Sequence, residues 1–136
     1  MPERYFHIIL ILVLYPMVKK KILVVEKDQD ILQIIGLMLV NSGYDVKLSV
    51  TENGIFDQIT DYLPDAILID IVKITPEGTQ LCREIKDAEG INHIPVIVLS
   101  THPKAELVKE VCADEVVHKP FDIDFLLETI EKHLVN

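Results

Sequence analysis

The chain of 136 residues has no tryptophan, and its aromatics are four tyrosines and four phenylalanines. With so few rings, any core must be aliphatic, and 49% of the residues are hydrophobic. That balance suits a parallel sheet covered on both faces, whose strands read as runs of Val, Ile and Leu. Positive charge is also scarce: 13 Lys and Arg stand against 22 Asp and Glu, a net charge of −9. The only tight basic cluster is Lys19-Lys20-Lys21. A general nucleic-acid surface, which needs grouped cations, is therefore excluded. Cys82 and Cys112 form no CxxC and no metal-ligand spacing. They read as small unpaired core residues in a reducing compartment, hence a cytoplasmic protein, rather than as a redox pair. The histidines His7, His93, His102, His118 and His133 are scattered, which excludes a His-based metal site. There is no Gly-rich phosphate loop, no GxSxG and no Ser/His/Asp constellation.

The length fits one domain with a real core. "YFHIILILVLYPMV", Tyr5 to Val18, contains no Asp, Glu, Lys or Arg. It is short of the roughly 20 apolar residues that span a bilayer, and it lacks the flanks of a signal peptide. Three readings stand. It is a short membrane or interface segment, with Lys19 to Lys21 on the cytoplasmic side. It packs on the domain, or on a second copy to give a homodimer. Or it precedes a natural start at Met17. Packing or a non-native extension is favoured over membrane, so the expected division is an apolar extension, 1–18, and a domain, 19–136.

Strand-like and helix-like runs alternate along that domain. "KILVV" (Lys21 to Val25) precedes a helix capped by Asp28 or Asp30, with Ile31, Ile34, Ile35, Met38 and Leu39 at helical spacing and Gly43 at its end. "DVKLS" (Asp45 to Ser49) alternates, with Val46 and Leu48 facing inward. A weaker helix, Gly54 to Tyr62, is broken by Pro64, and "AILID" (Ala66 to Asp70) follows. After a loop with Pro76 and Gly78, a helix near Thr79 to Ala88 places Leu81, Cys82 and Ile85 on one face. Then come "IPVIVLS" (Ile94 to Ser100), a short helix from Lys104 to Val111, "EVVH" (Glu115 to His118), and a last helix with Pro120 at its start and Asp122 as cap. Five β-α repeats predict parallel strands with helices on both faces, an open doubly wound sheet.

Ligands in such sheets collect beyond the carboxyl ends of the strands. Those ends carry Glu26, Lys27 and Asp28, then Asp70, then Ser100 and Thr101, then Lys119. Each alone is an ordinary turn former, helix cap or solvated charge. Their convergence from separate strands is what marks a site.

"KILVVEKDQDIL", "PDAILIDIVKITPEG", "PVIVLS" and "ADEVVHKPFDIDFLLETI" together resemble the response-regulator receiver domain (CheY-like) of two-component signalling, over Lys20 to Val135. The resemblance implies a flavodoxin-like α/β three-layer sandwich with strand order 2-1-3-4-5. It implies that Asp70 accepts a phosphoryl group from a histidine kinase or phosphotransfer protein, with Mg²⁺ held by Glu26, Asp70 and the backbone carbonyl of Val72. Lys119 would pair with a phosphate oxygen, ahead of a cis Pro120. Ser100 would be the switch hydroxyl. A target protein would bind the 104–135 face.

The chain departs from the family pattern. Lys27 stands where receivers usually place a second metal-ligating acid, and it can pair with Asp70 or Glu26 instead. Ile74, Thr101, Cys112 and Val116 replace a proline, a small residue, a glycine and the aromatic switch residue. Two functions follow from these residues: a stand-alone receiver that accepts phosphate on Asp70 weakly or conditionally, or a phosphorylation-independent pseudo-receiver acting as a scaffold. Neither is an enzyme. A phosphatase of the haloacid-dehalogenase type would need Asp-x-Asp where this chain reads "EKD".

Overall fold

A computed structural model describes residues 5, 6, 9, 10 and 18–134. The expectations for the 1–18 extension therefore fall largely outside the described residues. The domain is a sheet of five parallel strands in the order β2-β1-β3-β4-β5. The strands are β1 (Lys21–Val25), β2 (Asp45–Ser49), β3 (Ala66–Asp70), β4 (Val96–Ser100) and β5 (Glu115–His118). The connecting helices are α1 (Gln29–Asn41), α2 (Ile55–Tyr62) and α3 (Gln80–Asp87), then a 3-10 helix (Ala105–Glu110), then α4 (Ile123–Leu134).

Alternation along each strand divides the core into two layers. Ile22, Val24, Ala66, Leu68, Ile97 and Leu99 face Leu32, Ile35 and Leu39 of α1 and Leu126 and Ile130 of α4. Leu23, Val25, Ile67, Ile69, Val96 and Val98 face Ile55 and Ile59 of α2, Leu81, Cys82 and Ile85 of α3, and Ala105 and Val108. The central strands β3 and β4 are buried throughout. Burial on both faces explains why their sequences are continuous apolar runs.

Two local expectations are refined, and one is corrected. Leu48 faces α1, in register with Val24, and lies over buried Gly36, but β2 is the edge strand and leaves it partly exposed. A Cβ at Gly36 would come within 2.7 Å of Leu48 Cδ1, so the absence of a side chain there lets α1 and β2 approach. The short helix expected from Lys104 to Val111 forms as a 3-10 helix over Ala105–Glu110. Cys82 and Cys112 are not unpaired: they form a disulfide, with Cα atoms 5.7 Å apart. The fold brings them together because α3 and the stretch before β5 cover the same side of the sheet.

Asp28 caps α1, its Oδ1 accepting from the Asp30 and Ile31 amides. Asp122 accepts from the Asp124 amide at the start of α4. Glu115, at the start of β5, ties three elements together. It pairs with Lys109 at 3.1 Å, Lys132 at 3.1 Å and His133 at 3.4 Å. Burial raises its pKa, but the hydrogen bonds from Lys109, Lys132 and His133 outweigh burial and hold it down to about 2. A depressed carboxyl stabilises the fold above its unfolded value, and that stability is lost as pH falls toward the folded value. Acid titration from pH 4.5 toward 2 should thus remove about 2 kcal/mol through Glu115, after allowance for solvent screening. The variant Glu115→Gln should show a correspondingly flatter acid limb in urea unfolding.

Candidate functional site

The register of the sheet places the carboxyl ends of the strands at one level. Val25 pairs with Ile69, Asp70 with Leu99, and Ser100 with His118. The ladder continues one step further: the Glu26 amide donates to the Ser49 carbonyl at 3.0 Å, Ile71 to Leu99 at 2.9 Å, and Lys119 to Ser100 at 2.9 Å. Glu26, Asp70 and Lys119 are therefore held on rigid backbone rather than on free loops.

Their side chains meet. Lys119 Nζ lies 2.8 Å from Glu26 Oε2 and 3.0 Å from Asp70 Oδ1. Glu26 is 1% exposed and Asp70 6%. Burial opposes charge on Lys119, but the hydrogen bonds it donates to Glu26 and Asp70 more than offset it and raise its pKa above the ordinary lysine value. Burial pushes Glu26 up and the neighbouring Asp70 charge adds to it, outweighing the hydrogen bonds it accepts from Lys119 and the Asp28 amide. One cation between two carboxylates leaves a surplus negative charge in a desolvated pocket.

Ser100 is fully buried, and its Oγ accepts from the His102 amide at 3.0 Å. Val72 is half exposed. It lines a cavity of about 630 Å³ with Lys27, Glu52, Lys73, Glu77 and others. Gly78 closes that loop against Lys73, whose carbonyl oxygen occupies the space a Cβ would need. The Lys119-Pro120 bond is cis, as the resemblance implied.

Lys27 does not pair with Asp70 or Glu26. Its ammonium points outward and reaches Glu52 at 4.0 Å. Glu26 turns into the pocket and Lys27 away from it, and Lys119 already occupies the carboxylates that Lys27 was expected to neutralise. Asp28 is engaged as a cap, so it does not replace the missing acid. Thr101 is exposed and lines a separate apolar groove against α1.

Among the described residues, no group of three or more His, Cys, Asp or Glu side chains forms a metal-binding cluster. A divalent ion at this pocket would be offered the Glu26 and Asp70 carboxylates that meet at Lys119. Mg²⁺ commonly takes one or two carboxylates and keeps several waters. The surplus negative charge around Lys119 and the oxygen-only donor set fit that ion.

A family model described as the response regulator receiver domain matches residues 22–131. Solved structures share the fold. A response regulator from Chloroflexus aurantiacus J-10-fl is 23% identical, with TM-score 0.79, covering 88% of this chain and all of that one (100%). The Vibrio cholerae chemotaxis protein CheY4 is 22% identical, with TM-score 0.76, at 86% and 100% coverage. A signal receiver domain from Bermanella marisrubri is 25% identical, with TM-score 0.76, at 87% and 100% coverage.

Proposed function

The chain belongs to the response-regulator receiver domain family of two-component signalling, and from that premise we propose that it accepts a phosphoryl group on Asp70. The observation that carries this reading is the Lys119 ammonium bridging Asp70 and Glu26 at the strand ends. Asp70 Oδ1 accepts that bond, which holds the carboxylate in place as the nucleophile. Attack on a phosphohistidine of a kinase or phosphotransfer protein forms an acyl phosphate and releases the histidine.

Lys119 then serves the new phosphoryl oxygens, moving from a carboxylate partner to a more highly charged one. Ser100 supplies a hydroxyl one strand away, freed from the His102 amide by rotation about its side-chain bond. Glu26, Asp70 and the Val72 carbonyl would hold Mg²⁺, which offsets repulsion between the carboxylates and the incoming anion. The outward Lys27 favours this reading over the scaffold reading, because the lysine that was to lock the pocket does not enter it. The product is a contact with a target protein through the 104–135 face, in the cytoplasm where a kinase would act. Among the described residues no helix is long and apolar enough to cross a membrane.

The test is intact-mass measurement after incubation with acetyl phosphate and Mg²⁺. Gain of one phosphoryl mass supports the proposal; an unchanged mass over a wide range of Mg²⁺ returns the protein to the scaffold reading. Lys27 still weakens the metal site by its charge and by the acid it displaces. Lys27→Asp should tighten Mg²⁺ binding by about tenfold or more, equal to about 1.4 kcal/mol, as read by calorimetric titration. No gain in affinity would remove position 27 from the account of metal binding.

A further inference from the structure

We propose that Cys82 and Cys112 are a reversible oxidation site that sets the conformation of the segment between His102 and Ala113. This goes beyond the phosphoryl chemistry and is independent of it. The segment "AELVKE" is rich in Ala, Leu, Glu and Lys, residues with high α-helical propensity. It is nevertheless 3-10 over Ala105–Glu110, longer than the three or four residues such helices usually run, and 3-10 geometry of this kind marks hinges and constrained sequences.

Its hydrogen bonds show the constraint. Ala105 donates to His102, Leu107 to Lys104 and Val111 to Val108, all at 3.1 Å. The end is gathered on one acceptor: the Val108 carbonyl also takes the Cys112 and Ala113 amides at 2.9 Å each. Cys112 is then bonded to Cys82 of α3.

The residues beyond it are held separately. Asp114 Oδ2 accepts from the Val96 amide at 2.7 Å, and Asp114 pairs with Lys86. The disulfide thus cross-links the end of the 3-10 helix to α3, while the pairs Lys109–Glu115 and Glu106–His118 tie its body to β5. A 3-10 helix rises about 2.0 Å per residue and an α-helix about 1.5 Å. Opening the bond allows the six residues to contract by roughly 3 Å. That movement would carry Leu107 and Val111, which are exposed, along the rim of a groove of about 420 Å³ shared with Ile74, Pro76 and Arg83.

The chemistry balances with a small-molecule disulfide such as oxidised glutathione. The Cys112 thiolate, the more exposed of the pair, attacks it and forms a mixed disulfide, releasing one glutathione thiolate. The Cys82 thiolate attacks the Cys112 sulfur, closes the protein bond and releases the second. Two electrons pass from the protein thiols to the reagent, and the two protons go to the departing thiolates. Reduced glutathione reverses both steps.

The test uses the whole chain in reduced and in oxidised glutathione, trapped with an alkylating reagent, weighed, and compared by NMR. The oxidised form should take no alkyl groups and the reduced form two, one per cysteine. Sequential i,i+2 contacts across 105–110 should be lost on reduction and replaced by i,i+4 contacts, with 115–118 unchanged. Cys112→Ser, which cannot close the bond, should show the reduced pattern in both buffers. Thiols that remain alkylatable in oxidised glutathione, or identical NMR patterns in the two forms, overturn the proposal. No phosphoryl donor is present, so either failure leaves the assignment of Asp70 untouched.

Discussion

Replacing Asp70 by asparagine is expected to abolish phosphoryl uptake from acetyl phosphate while leaving the domain folded. The amide cannot attack phosphorus as a carboxylate does, and the other buried acid, Glu26, sits in the same pocket with its Oε1 accepting from the Asp28 amide at 3.2 Å. The substitution also removes one of the two anions that share Lys119. Lys119 then pairs with Glu26 alone, and the repulsion between the carboxylates disappears. Stability in urea should therefore hold or rise as acceptor activity falls to background. A variant that still gains the phosphoryl mass would move the acceptor to another residue, and peptide mapping would identify it.

The second large effect is on stability. Lys119→Met should cost about 3–5 kcal/mol at neutral pH, because truncating one partner of a buried ion pair leaves uncompensated charge. Here two carboxylates, 1% and 6% exposed, would face each other. The pH dependence gives the sign. Glu26 already has a raised pKa in the native protein, from burial, and removal of the ammonium raises it further. A carboxyl whose folded pKa lies above its unfolded value binds more protons in the native state. Its penalty is therefore absent below about 4.5 and develops as pH rises through the folded value. Unfolding curves for Lys119→Met should approach wild type on acidification, and Asp70→Asn in that background should restore much of the loss at pH 7. In the native protein the lysine has the same sign: its raised pKa contributes stability below 10.5 that is lost as pH rises through the folded value.

The fold was legible because buried parallel strands announce themselves as apolar runs, and "ILVV", "AILI" and "VIVL" lie where β1, β3 and β4 form. Periodicity placed α1 and α4, and strand ends gave Glu26, Asp70, Ser100 and Lys119. The failures share a cause, which is distance along the chain. Leu48 faces α1 as its alternation implies, but a sequence does not say that β2 lies at the edge and leaves it partly exposed. Lys27 has the right position to enter the pocket, but Lys119, separated from Glu26 by 93 residues, reaches both carboxylates first. Cys82 and Cys112 are 30 residues apart with no motif between them; only the stacking of α3 and the pre-β5 stretch on one side of the sheet joins them. The 3-10 helix was hidden by its own composition, whose local preference yields to tertiary attachment.

Glu115 receives cations from two directions, Lys109 on the 3-10 helix and Lys132 on α4. A displacement of the first element would thus alter the charge it shares with the second at Glu115. Charge coupling at a partly solvated position is weakened by dissolved ions, whose screening length is about 8 Å at physiological strength. The link that Glu115 makes between these two elements should therefore weaken as electrolyte is added.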